Sequence, residues 1–120
     1  MFIRDSAECE AFTAGDNTFL RELFNPLKED MELRYSLAHA VVKPGKISYE
    51  HSLRSSEVYY ILDGMGRMYI NDETAEVKAG QAVYIPPHAR QRIMNIGKKD
   101  LIFLCIVDPA WRPEDEEVLD

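Results

Sequence analysis

From Glu32 onward the chain alternates short apolar runs with turn residues. Tyr35, Leu37 and His39 fall on one face of an extended segment that ends at Pro44-Gly45. Glu57 to Leu62 is rich in β-branched and aromatic side chains and stops at Asp63-Gly64. Arg67 to Ile70, Val77, Val83 to Ile85, Arg92 to Met94 and Leu101 to Val107 follow. Polar or breaking residues separate them: Asn71-Asp72-Glu73, Ala79-Gly80, Pro86-Pro87 and Gly97-Lys98-Lys99. Short strands at this spacing, with no long helical period between them, predict an all-β sandwich or barrel. Several of the strands are apolar on both faces, so something must cover the outside as well as the inside. A second copy of the chain is the expected cover, which makes a homodimer the expected assembly.

The first quarter is less regular. Asp5 to Cys9 can open a short helical turn with Asp5 as its cap and Glu8 reaching back. Thr18 to Phe24 fits a strand or a helix and ends at Asn25-Pro26. Residues 1–31 therefore read as an N-terminal arm and 108–120 as a C-terminal tail around one domain. The acidic run Glu114 to Glu117 reads as solvated, and Trp111 between two prolines as packing for the tail rather than a ligand contact.

Composition narrows the function classes. The 120 residues carry a formal net charge of −7, with 46% hydrophobic and 29% charged residues. That is the balance of one globular domain. An acidic chain lacks the basic face that nucleic acid or an anionic membrane requires. Its longest apolar run, Leu101 to Val107, is far short of the roughly 20 residues of a spanning helix. Met1 to Asp5 begin no export signal, and Cys9 and Cys105 form no CxxC pair, so the expected location is the cytoplasm.

The middle of the chain carries a more specific pattern. Gly45, His51, Leu53, Glu57 and Gly64 keep the spacing of the first signature of the cupin superfamily (Gly, five residues, His, one, His, three or four, Glu, six, Gly). Gly80, Pro86, His88, Gln91 and Asn95 keep the spacing of the second (Gly, five, Pro, one, Gly, two, His, three, Asn). The chain thus resembles a small single-domain cupin over 45–64 and 80–95. The resemblance implies a jelly-roll, or double-stranded β-helix, barrel spanning residues 1–120.

It also implies a site. Metal-binding members hold their ion with the two His and the Glu of the first signature and the His of the second. Those positions here are His51, Leu53, Glu57 and Gln91. His51, Glu57 and Gln91 are the expected metal ligands, for one divalent transition ion (Fe, Mn, Ni, Cu or Zn). A hydrocarbon replaces one imidazole and a neutral amide another, which favours a harder or more loosely held ion. Strand alternation puts residues 51 and 53 on one face, with residue 57 on the next strand and residue 91 converging from an opposite one. Leu53, Tyr59, Met94 and His39 are expected to line the pocket, with Tyr49 near its mouth; His39 equally suits the outer face. His88 stands where the family has a turn glycine, a position that suits a residue tolerant of positive φ.

Two functions follow. One is a metal-dependent barrel acting on a small polar molecule by dioxygenase-, isomerase- or lyase-like chemistry. The other is a metal-free module that binds a small ligand without turning it over. Without metal, Glu57 in a partly dry pocket is the candidate general acid or base.

Overall fold

Side-chain alternation along the longest apolar run organises the molecule. In the strand Leu101–Asp108 (β10), Leu101, Phe103, Cys105 and Val107 are buried, while Ile102, Leu104 and Ile106 face outward. The computed structural model describes residues 1–120. In chain order the preceding strands are Phe12–Thr13 (β1), Phe19–Phe24 (β2), Ser36–Val42 (β3), His51–Leu53 (β4), Ser56–Asp63 (β5), Met65–Ile70 (β6), Glu73–Lys78 (β7), Ala82–Ile85 (β8) and Gln91–Asn95 (β9). Glu116–Val118 (β11) ends the series.

Two antiparallel sheets result, six strands in the order β1-β2-β3-β10-β5-β8 and five in the order β11-β4-β9-β6-β7. Long-range pairing between strands far apart in sequence is the jelly-roll arrangement. No helix is long and apolar enough to cross a membrane. The inner faces meet in a core that includes Ile61, Ile85, Ile93, Leu101 and Phe103. Tyr59 packs on Phe103 with ring centroids 4.5 Å apart. Toward the Val107 end of β10 the core gives way to a cavity.

Thr18 to Phe24 resolves as strand β2, because its pairing with β3 satisfies a backbone that would otherwise be bare. Asp5 caps a 3-10 turn over Ser6–Glu8, its carboxylate accepting from the Ala7 N–H at 2.9 Å. The tail differs from its expected solvated state. β11 pairs with β4, Glu116 opposite Leu53, and closes one side of the barrel.

The signature residues have visible backbone reasons. Gly64 has φ 89°, and a Cβ there would lie 2.7 Å from the Asp100 carbonyl oxygen, so both conformation and space demand glycine. His88 sits at φ 66° and donates its N–H to the Leu53 carbonyl at 2.7 Å. It holds a turn and lines no part of the cavity. Asn95, 1% exposed, donates to the carbonyls of Val42 (2.9 Å) and Lys99 (2.8 Å) and accepts from the Gly97 N–H (2.9 Å). One side chain thus joins β3, β9 and the turn before β10. Asn95→Ala should cost on the order of 3 kcal/mol, since it strands several backbone groups with no water to replace the amide. Urea denaturation of the two proteins measures the difference.

Candidate active site: a buried acid–base cluster

The cavity lies between the open ends of the sheets and is lined in part by both arms of the chain. The space inside it that water-sized molecules can occupy is about 40 Å³, room for a few waters. From the barrel come His51, Leu53, Glu57, Tyr59, Phe103 and Cys105; from the N-terminal arm Phe12, Asp16 and Glu22; from the C-terminal tail Trp111 and Glu116.

Tyr59 and Glu57 alternate inward on β5, and Gln91 leaves β9 in the facing sheet. The Gln91 amide spans the gap. Its Nε2 donates to Glu57 Oε1 at 3.0 Å, and its Oε1 accepts from the Tyr59 hydroxyl at 3.0 Å. All three side chains are buried, so each depends on the others for hydrogen bonds.

Burial is the main force on Glu57. It pushes the carboxyl up from 4.5 to about 8; the Gln91 hydrogen bond opposes this, and the charges of Asp16 and Glu116 add to it. The same burial raises the Tyr59 hydroxyl and the Cys105 thiol well above their usual ranges, which keeps both neutral.

His51 is 2% exposed. Its Nδ1 lies 2.9 Å from the Tyr49 carbonyl, which accepts only, so Nδ1 carries the proton of the neutral ring. Nε2 is then the basic nitrogen, and it faces Asp16 Oδ2 at 3.5 Å. Asp16 is fixed by the β1–β2 turn: its Oδ1 accepts from the Thr18 N–H (3.1 Å) and hydroxyl (2.7 Å). Its own carbonyl accepts from the Tyr49 N–H at 2.7 Å, which ties the arm to the segment bearing His51. Beside this hairpin, where Glu116 packs against Gly15, Trp111 Nε1 donates to Glu116 Oε2 at 2.9 Å.

Of the residues expected at the site, His51, Leu53, Glu57 and Tyr59 line the cavity, and Gln91 lies beneath it, bonded to two of its lining side chains. Gln91 comes from the strand next to His51 rather than from an opposite one: the two are direct partners across β4 and β9, and Glu57 is the residue from across the barrel. Met94 and His39 are corrections. Met94 alternates with the buried Gln91, Ile93 and Asn95 and so faces away from the interior, beside Ile47. His39 alternates with Ala38 and Ala40 and faces outward between Arg21 and Leu104. Its imidazole is lowered in pKa by burial and by the Arg21 charge. Asp16, Trp111 and Glu116 were not anticipated. The Asx-turn wording Asp16-Asn17-Thr18 is the only local hint for any of them, and it speaks of a turn, not of a site.

Two sheets wound into one barrel, with convergent polar side chains at one open end, define a double-stranded β-helix protein with an internal site. The chain belongs to the cupin family: the Cupin domain model matches residues 38–107. It is 40% identical over 110 residues to an uncharacterised protein of Methanocaldococcus jannaschii, covering 91% of this chain and 87% of that one. It is 29% identical over 119 residues to glucose-6-phosphate isomerase of Thermococcus litoralis, covering 88% of this chain but only 62% of the isomerase. Among solved structures it superposes on oxalate decarboxylase of Bacillus subtilis, a protein with Mn(II) centres. That match has a TM-score of 0.81 and 21% identity, over 95% of this chain and 31% of that one.

The residues present do not fit a metal centre at the family's ligand positions. Leu53 has no donor atom, the Gln91 oxygen is taken by Tyr59, and the Gln91 nitrogen is turned toward Glu57. No three His, Cys, Asp or Glu side chains converge in a way that could hold an ion.

The displaced Glu57 titration has a definite sign. Between 4.5 and about 8 the folded chain keeps a proton that the unfolded chain releases, so stability falls as pH rises through this window and levels off above it. The slope from this group reaches about 1.4 kcal/mol per pH unit. Glu57→Gln, neutral at every pH, should match the wild type near pH 4 and melt higher than it at pH 8. Thermal melts across that range test this; a difference between the two proteins that stays constant from pH 4 to pH 8 would show that the Glu57 carboxyl is not raised in the fold.

Proposed function

We propose that the chain is a metal-independent acid–base catalyst that binds a small polar molecule inside the barrel and moves a proton on it. The observation that carries this reading is the buried His51 ring, whose Nδ1 is tied to the Tyr49 carbonyl and whose Nε2 is left as a base beside Asp16. The Tyr49 carbonyl on Nδ1 orients the ring, and the charge of an imidazolium formed by proton uptake at Nε2 is offset by the neighbouring Asp16 carboxylate. Glu57 supplies the complementary group, a carboxyl that burial keeps protonated near neutral pH. A basic ring nitrogen and a protonated carboxyl lining one cavity suit proton transfer at a carbon next to a carbonyl. The kinship with glucose-6-phosphate isomerases supports that class of reaction; the chain spans about three fifths of the length of the Thermococcus litoralis enzyme. Two free thiols, Cys9 and Cys105, are in keeping with a reducing cytoplasm.

The second reading is a binding module. The closed Glu57–Gln91–Tyr59 chain favours it, because polar groups satisfied by one another can serve purely to hold a pocket open.

Protein purified without chelators should contain well under one equivalent of Fe, Mn, Ni, Cu or Zn by elemental analysis. In D₂O it should exchange the carbon-bound hydrogen beside the carbonyl of a small hydroxycarbonyl substrate, read by NMR over a panel of aldoses and ketoses. That exchange should persist in EDTA and fall at least 100-fold in His51→Ala. Stoichiometric metal, or exchange abolished by EDTA, would overturn the reading. Saturable binding without exchange would select the module.

A further inference from the structure

Both readings of the site require a small polar molecule to enter the barrel, a requirement on which the present inference rests. The cavity has space for only a few waters, about 40 Å³. A pentose or hexose takes the place of about five or six waters at about 30 Å³ each, so the closed barrel holds no sugar. Some part of the wall must move.

The parts of the wall differ in how they are held. Long ladders join β3, β10 and β5, and β2 pairs with β3 along most of its length. The β1–β2 turn is fixed by the buried Asp16 and Thr18 and by the Tyr49 N–H, which donates to the Asp16 carbonyl. Trp111 is fixed as well. Its N–H donates to Ser36 Oγ at 2.9 Å, its carbonyl accepts from the buried Asn25 amide at 3.0 Å, and Lys28 Nζ lies 5.5 Å from its ring centroid.

Beyond Trp111 the wall changes character. None of residues 112–120 is buried, and β11 pairs only with β4, Glu116 to Val118 against Leu53 to His51. The Arg54 N–H donates to the Asp115 carbonyl at 2.9 Å, the Leu119 N–H to the Glu50 carbonyl at 2.7 Å, and the Trp111 indole to Glu116. Within the segment, Arg112 Nε donates to Asp115 Oδ2 at 2.9 Å and the Asp115 N–H to the Arg112 carbonyl at 3.1 Å, so it can move as one body. β11 is the edge of the five-stranded sheet, and Glu116 and Val118 lie beside Gly15, in the turn after the edge strand of the other. It thus fills the gap between two sheet edges at the cavity that Glu116 lines. A segment held by exposed hydrogen bonds and little apolar burial opens far more readily than the whole fold.

We propose that residues 112–120 form a flap, hinged after Trp111, that leaves β4 as a unit to admit the ligand and pairs with it again to close the barrel. Cys105 lines the cavity as a buried free thiol, so it reports opening with no ligand present. N-ethylmaleimide, a neutral ring too large for the space of a few waters, reaches it only through an opened wall. Peptide mass spectrometry separates its labelling from that of Cys9, and rate ratios at one pH cancel the reactivity of the thiol itself.

Leu119→Pro, at an exposed position beyond β11, deletes the N–H that bonds Glu50. It should speed Cys105 labelling about fivefold, the worth of one backbone hydrogen bond. Hydrogen exchange of the Arg54 amide should quicken by the same factor, and that of the Tyr49 amide should not change. Ile61→Val weakens the core away from the cavity and should leave Cys105 labelling as it is. Labelling that follows Ile61→Val would mean access by global unfolding, and a Tyr49 amide that quickens with Arg54 would mean that the hairpin moves. Either result, or labelling unchanged by Leu119→Pro, overturns the flap. Metal content and substrate proton exchange test the acid–base reading separately, so the two can fail independently.

Discussion

The amide of Gln91 is the interaction on which the interior depends. It reaches from one sheet to the other and bonds both a carboxyl and a phenol, so the two walls of the barrel share one polar link. In a dry interior, a buried carboxyl with no partner would be too costly to keep. With the amide in place Glu57 survives there, and burial then sets its proton affinity. A histidine at this position, as in metal-binding relatives, would bring a lone pair for an ion. The amide turns its NH₂ toward Glu57 and its oxygen toward Tyr59, so the site becomes a network of protons.

The arms give the site its charge. The β1–β2 hairpin brings Asp16 to His51, and the tail brings Trp111 and Glu116 alongside that hairpin. Each is held by main-chain bonds to the barrel: Tyr49 N–H to the Asp16 carbonyl at 2.7 Å, and Leu119 N–H to the Glu50 carbonyl at 2.7 Å. The negative charge of the chain is therefore more than a property of its surface. Part of it is aimed inward, where low polarity strengthens its effect on whatever enters.

The barrel and its turn residues were legible because each has a local physical reason. Gly64 must tolerate positive φ and a carbonyl 2.7 Å from its missing Cβ. His88 occupies a left-handed turn, as its place in the signature suggested. The convergence of Glu57 and Gln91 was implied by the signature resemblance, as metal ligands; their hydrogen bond and the strand from which Gln91 approaches were not. His39 and Met94 show where such reading stops. Apolar neighbours at positions 37 and 41 mark one face of β3 as hydrophobic, but both faces of that strand are hydrophobic, so pattern alone does not say which is inside.

The sequence by itself determined an all-β barrel of cupin type, the places of its turns, and His51 and Glu57 as its polar centre. The all-β barrel and its turns rest on two-residue alternation and on backbone angles that few residues accept, both properties of short stretches of chain; the cupin type and the two polar positions rest on the resemblance to the family's signatures. Only the tertiary structure decided that Gln91 spends both ends of its amide on Glu57 and Tyr59, and that Asp16, Trp111 and Glu116 belong to the site. Those contacts join residues 32 to 60 or more positions apart, and in the case of the arms they depend on where a terminus lands. No local periodicity encodes that; it follows from which sheet edges were left open for a hairpin and a tail to cover.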